Sequence, residues 1–206
     1  MDGATATKAK PDARTRLLDA AMQVIRAQGY AATSVDDICR VAGLTKGAFF
    51  HHFKSKEDLA VAAAAHFAAM AEGLFATAPY RRLADPFARL LGYVDFRSAI
   101  IDGPIPEFTC LLGTMVQETY ATHPAIRQAC DVSIGAHAAE VAKDIAAAKA
   151  LYTPEAPWDA DSLALHTQAV LQGAYVLAKA KNGNAIARDS VAHLRRYIEL
   201  LFDRPH

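Results

Sequence analysis

Residues 34–53 read SVDDICRVAGLTKGAFFHHF, two short helical units on either side of Gly43. Ser34-Val35-Asp36-Asp37 has the pattern of a capping box with Asp in the place of Glu, and it opens a helix predicted to run to about Ala42. Gly43 supplies the permissive backbone of a tight turn. Thr45 caps a second helix, predicted from Lys46 to about His52. Val35, Ile38 and Val41 share one face of the first helix, and Leu44, Ala48, Phe49 and Phe53 give the second a buried side. Thr45, Lys46, Gly47, Phe50, His51 and His52 are left to face outward. With a third helix before them, these units make a helix-turn-helix pattern. In such units the second helix enters the major groove, while helix N-termini, hydroxyls and basic side chains grip phosphates. A plain helical hairpin with solvated lysines is the competing reading of the same spacing.

The pattern extends outward from there in both directions. Upstream, Leu17, Leu18, Ala21, Val24 and Ile25 form the apolar stripe of an amphipathic helix that stops near Gly29. The small, polar, weakly basic residues 1–12 read as a flexible arm. Downstream, Ser55-Lys56-Glu57-Asp58 repeats the capping pattern and starts an alanine-rich helix reaching about Phe75. Proline-bearing breaks follow at Ala78-Pro79, Asp85-Pro86 and Asp102–Pro106, and His123-Pro124 opens a new helix. Loops are expected at Tyr152–Trp158 and Asn182–Asn184. No β-branched alternating run of strand length occurs. The expected fold is all-α with about nine helices.

Composition narrows the class. Hydrophobic residues make up 52% of the 206, enough for a real core, and 22 basic residues balance 22 acidic ones. Three widely spaced cysteines without a CxxC argue against a disulfide framework or zinc ribbon and suit a reducing compartment. No uninterrupted apolar run reaches membrane-spanning length, and the N-terminus lacks the apolar segment of a signal peptide. The expected location is therefore the cytoplasm. HExxH, GxSxG, a Walker loop and a GxGxxG after a strand are all missing, so no enzyme chemistry and no metal or other cofactor is assigned.

Residues 15–59, TRLLDAAMQVIRAQGYAATSVDDICRVAGLTKGAFFHHFKSKEDL, resemble the DNA-binding domain of the TetR family of bacterial transcriptional regulators. The resemblance rests on Gly29-Tyr30, Thr33-Ser34-Val35, Ile38 with Val41–Leu44, and above all Thr45–Phe53 followed by Lys56-Glu57. It implies a DNA-binding helix-turn-helix domain over 1–58 and a ligand-binding and dimerisation domain over 59–206. It implies a homodimeric repressor on a palindromic operator, released by a small-molecule effector. Carried onto this chain, Ser34, Thr45, Lys46, His52 and Lys56 contact the backbone, and Gly47, Phe50 and His51 line the groove. Phe50 stands where the family's pattern has Tyr, so one phosphate-directed hydroxyl is absent. Arg14 and Arg16 are candidates for further contacts from the arm. Substituting Lys46 or Lys56 by Ala is expected to lower the salt slope of binding by about one.

The remainder offers candidates rather than motifs. Apolar and polarisable residues for a pocket are Phe67, Met70, Phe96, Cys110, Met115, Tyr120, Trp158 and Tyr175, with Gln117, His137 and Gln168 as polar anchors. Such residues at helical spacing are also ordinary core, and a free cysteine such as Cys110 is more often inert than reactive. The last two helices carry a small-residue face (Ala169, Val170, Gly173, Ala174, Leu177, Ala178) and an apolar stripe (Val191, Leu194, Ile198, Leu201). A four-helix dimer interface built on Val170, Gly173, Leu177, Leu194, Ile198 and Leu201 is expected, against the alternative that they pack inward. The rival to the regulator is a helical small-molecule-binding protein or enzyme that keeps a vestigial helix-turn-helix.

Overall fold

Helix α1, Ala13–Gln28, begins at Asp12, whose side chain accepts the backbone N–H of Thr15 at 2.7 Å. It buries the expected stripe of Leu17, Leu18, Ala21, Val24 and Ile25. In the computed structural model, which describes residues 11–204, it is followed by α2 (Val35–Ala42), α3 (Lys46–His52) and α4 (Lys56–Ala76). A 3-10 turn at Pro79–Arg82 leads to α5 (Pro86–Ala99), α6 (Ile105–Phe108) and α7 (Leu111–Thr119). Three long helices complete the chain: α8 (Pro124–Tyr152), α9 (Ala160–Lys181) and α10 (Ala185–Leu201). The described residues thus form ten α-helices, and the flexible-arm expectation for 1–12 falls almost wholly outside them. The helix beyond the expected nine is α6, a single turn inside the segment read as a linker. Pro104 and Pro106 sit at its N-terminal positions, where a missing N–H costs nothing.

The apolar interior falls into two clusters. The first joins α1, α2, α3 and the front of α4 through Leu17, Ile25, Ile38, Phe49 and Leu59, and takes in Leu111, Leu112 and Met115 of α7 with Ile126 and Cys130 of α8. The second holds the rest of the bundle, from Phe75 through α5, α8, α9 and α10 to Phe202. Helix α4 runs through both, since Leu59 to Ala64 belong to the first and Phe75 to the second. Its alanines also make it long and apolar enough by length and composition to cross a membrane, although His66 and Glu72 interrupt the apolar run.

Candidate nucleic-acid interface and ligand cavity

Each cap in the helix-turn-helix is formed as its sequence suggests. Ser34 Oγ accepts the Asp37 N–H at 3.1 Å, and Asp37 accepts the Ser34 N–H at 3.1 Å, which closes the capping box. The Ser34 bonds, with Arg40 beside them, hold the Asp37 carboxyl at about 2. Gly43 ends α2 with φ +62°, a left-handed conformation that favours glycine. Arg16 of α1 donates to the carbonyls of Ala42 (2.5 Å) and Gly43 (3.1 Å), so α1 grips the turn directly. Arg16 thus serves the turn, whereas Arg14 is exposed and lies over the Phe53 ring.

Thr45 caps α3 by accepting the Ala48 N–H at 3.2 Å. Phe49 is fully buried and anchors the helix, while Phe50, one residue on, is 57% exposed and leans edge-on against it. Thr45, Lys46, Gly47, Phe50 and His51 lie exposed together, with His52 half-buried beside them. A Cβ on Gly47 would meet only Thr45 Oγ1, at 3.7 Å, so nothing inside the protein demands glycine there. Lys46 pairs with Asp36 at 2.9 Å, but both side chains are largely exposed, and such a pair exchanges readily for another anion.

One sequence expectation changes here, and two candidates have contacts within the protein. Val41 points outward, being 41% exposed, because α2 has only one side against the core. Ser34 keeps its exposed position but spends its hydroxyl on Asp37. Lys56 has partners inside the protein: its ammonium donates to the carbonyls of Tyr30 (2.9 Å) and Thr33 (2.8 Å) and sits 4.2 Å from the Tyr30 ring centre. Burial lowers its pKa accordingly.

A cavity of about 500 Å³ opens among α4, α5, α7, α8, α9 and the α6 turn. Five of the eleven sequence candidates line it: Phe67, Cys110, His137, Gln168 and Tyr175. The other six do not. Met70 is 49% exposed on α4, and Gln117 is exposed on α7, its amide turned back to the Gly113 carbonyl. Phe96 packs into the second cluster against Phe75 and Tyr80, and Trp158 meets Phe202 edge-on. Met115 is fully buried in the first cluster and Tyr120 is 65% exposed. Phe75, Arg81, Arg97, Phe108 and Thr109 line the cavity without having been singled out in the sequence. Phe75 and Arg97 become neighbours only when α4 and α5 fold together, so no local spacing announces them.

The expected dimer stripe divides in the same way. Leu194 and Ile198 are 3% and 0% exposed inside the protomer's own core, with Val191 beside them, and have no surface left for a partner. Val170 and Leu201 are half-buried against that core. Gly173 and Leu177 face out, accompanied by Leu165, Val176, Tyr197 and Leu200 on the same two helices.

Comparison with known proteins agrees with this geometry. The curated transcriptional regulator AcrR of Shigella flexneri is 42% identical over 57 residues, covering 26% of this chain and 26% of that protein. The repressor KstR2 of Rhodococcus jostii is 43% identical over 53 residues, again 26% of each. The matched segment thus spans about a quarter of the length of these curated relatives. A solved TetR transcriptional regulator from Chloroflexus aurantiacus superposes with a TM-score of 0.78 at 28% identity, over 90% of this chain and 93% of that one. The sequence model described as bacterial regulatory proteins, tetR family, matches residues 17–63. The one described as tetracyclin repressor-like, C-terminal domain, matches residues 86–194, more than half of the chain. This chain, with its helix-turn-helix and helical C-terminal region, belongs to the TetR family of bacterial transcriptional regulators.

Proposed function

We propose that the protein is a homodimeric DNA-binding repressor, held on a palindromic operator and released when a small molecule fills its cavity. The observation that carries this reading is the exposed face of α3. Thr45, Lys46, Gly47, Phe50 and His51 are presented to solvent by a helix whose opposite side is locked by Phe49. In the reading, residues 1–58 are the DNA-binding unit and residues 59–206 bind effector and partner, all in the cytoplasm. Lys46 and the Thr45-capped N-terminus of α3 take phosphates, and Gly47, Phe50 and His51 approach the base edges. Two such helices need a spacing of about 34–36 Å to enter successive major grooves. The outward apolar residues of α9 and α10 supply the contact that sets it.

Release follows from shared elements. Helix α4 begins at Lys56, bonded to the loop before α2, and lines the cavity at Phe67 and Phe75. Helix α7 lines it at Leu112, and its Glu118 accepts the Ala31 N–H at 2.7 Å. An occupant that favours one placement of α4 and α7 shifts the helix-turn-helix by its differential affinity for the two shapes.

The test is a fluorescence-anisotropy titration against the DNA upstream of the protein's own coding region, at two salt concentrations with excess nonspecific competitor. Tight binding that weakens steeply with salt is expected. Binding no tighter than to random duplex, there and in a genome-wide selection, would sink the repressor reading.

A further inference from the structure

The wall of the cavity carries a guanidinium, that of Arg97, with no carboxylate paired to it among the described residues. Arg97 of α5 donates from Nε to the Tyr93 hydroxyl (3.1 Å) and from Nη2 to His137 Nε2 (2.9 Å). Its guanidinium carbon stands 4.4 Å from the centre of the Phe75 ring. None of the three is a carboxylate. Tyr93 accepts from Gln168 Nε2 at 3.2 Å as well, and its hydroxyl stands 3.1 Å from His137 Nε2, whose one lone pair it shares with Arg97. Burial, reinforced by Arg97 and Arg81, pushes the His137 ring down to about 3 and leaves its Nε2 an acceptor at neutral pH.

Among the described residues, no carboxylate lies within ion-pair distance of Arg97. The neighbouring arginines differ: Arg81 and Arg89 share Asp144, at 3.5 and 2.7 Å. A guanidinium has more N–H groups than Tyr93, His137 and the nearby Tyr175 hydroxyl employ. A second polar group is also unmatched. Thr109 lines the same cavity, is 2% exposed, and its Oγ1 has no hydrogen-bond partner. Unpaired charges and orphaned hydroxyls are costly in an apolar interior, and where they line a cavity they mark what it is built to receive.

We infer that the cavity takes a small apolar molecule bearing a single carboxylate-type anion, seated on the Arg97 guanidinium; the inference deepens, and rests on, the proposed effector site. A guanidinium matches a carboxylate in shape and charge and holds it through paired N–H bonds. The walls suit an apolar body, with Phe67, Phe75, Phe108 and Leu112 among the lining residues. Two exposed carboxylates, Glu72 and Glu140, also line the cavity, and Glu140 is already paired with Lys143. A second negative charge on the ligand would meet them, which selects a monoanion.

The test is calorimetric titration of the whole protein, free of DNA, with benzoate and 2-naphthoate against benzamide and 2-naphthamide. The acids are expected to bind at least about tenfold more tightly than the amides of the same shape. Arg97→Gln should bring that preference below about threefold while leaving amide affinity in place. Thr109→Val loses no bond within the protein, so it should fold normally and weaken acid binding about threefold to fivefold. Equal binding of acid and amide, no binding of either acid up to its solubility, or an undiminished preference in both variants overturns the inference. Because DNA is left out, loss of acid preference with operator binding intact would sink this inference alone. Absent operator binding with acid preference intact would sink only the repressor reading.

Discussion

The two apolar clusters are finished to different degrees. Around α1 to α3, Leu17, Ile25, Ile38, Phe49 and Leu59 are all 0% exposed, and the polar groups at the edges have partners in Arg16, Ser34 and Lys56. Around α5, α8 and α9 the interior holds a cavity, an arginine without an acid and a threonine hydroxyl without a hydrogen bond. Close-packed interiors resist deformation, whereas a region with an unfilled space has more than one packing open to it. The first region is therefore suited to present a fixed surface on α3, and the second to respond to what enters it.

The sharpest way to break that contrast lies in two adjacent residues. Phe49→Ala removes a ring at the centre of the closed cluster and should cost about 3–5 kcal/mol in urea unfolding. Phe50→Ala, at an exposed position with only an edge contact to Phe49, should cost less than about 1 kcal/mol. Its effect should appear in DNA affinity instead. Comparable destabilisation by both would show that the outer face of α3 is part of the core and not an independent surface.

Acid should find the other region first. The pKa of His137 is lowered in the folded state by burial and by Arg97 and Arg81, from an ordinary 6.5 to about 3. The unfolded chain then binds the proton at a higher pH than the folded one. Stability should fall as pH drops below 6.5 and keep falling towards 3, by about 1 kcal/mol per pH unit from this residue. Urea melts at pH 7, 6 and 5 check it, and His137→Gln should flatten the dependence. A wild-type slope shared by the variant would place the acid sensitivity elsewhere.

Two lysines that look alike in sequence separate the roles of surface and core. Lys56→Ala deletes two bonds to backbone carbonyls and should cost about 1–3 kcal/mol of stability. Lys46→Ala breaks only an exposed ion pair, so stability should stay within about 0.5 kcal/mol while the salt slope of DNA binding falls by about one. A reduced salt slope for Lys56→Ala with unchanged stability would reverse the assignment.

That pair also shows what the sequence could and could not convey. The capping box at Ser34, the turn at Gly43 and the buried position of Phe49 are local: periodicity and caps within a few residues determine them. Lys56 sits in an equally recognisable motif, but its partners are carbonyls more than twenty residues away, which spacing does not reveal. Leu194 and Ile198 show the same limit in reverse. An apolar stripe states that a helix face is covered, and only the packing of α10 on α5 and α9 states that the protomer itself covers it. The cavity is the extreme case, because Arg97, Thr109 and His137 come from three elements and mean little apart. His137 and Gln168 were legible as polar residues on apolar helices, and Arg97 was one of many basic residues until Tyr93 and Phe75 closed round it.

The smallest expected effect concerns the link between the two regions. Glu118, at the end of α7, accepts the Ala31 N–H at 2.7 Å, across the loop that joins α1 to α2. It reaches this position over Gly29, at φ +88°, where a Cβ would collide with the Glu118 carboxylate. The same carboxylate lies near enough to Lys56 and Lys179 to favour their charged forms. Glu118 is exposed, so its bond to Ala31 should contribute no more than about 1 kcal/mol. Glu118→Ala should leave the global unfolding midpoint nearly unchanged and speed hydrogen exchange at the Ala31 amide by about fivefold. The change should be confined to the loop before α2, because Arg16 and the Ser34 cap still hold the helix-turn-helix together. Exchange at Ala31 unaltered by the substitution would mean that α7 does not restrain this loop. Coupling between cavity and DNA-binding surface would then have to run through α4, by way of Lys56, or through α1, whose Arg26 donates to the carbonyls of Glu107 and Thr109 at the cavity wall.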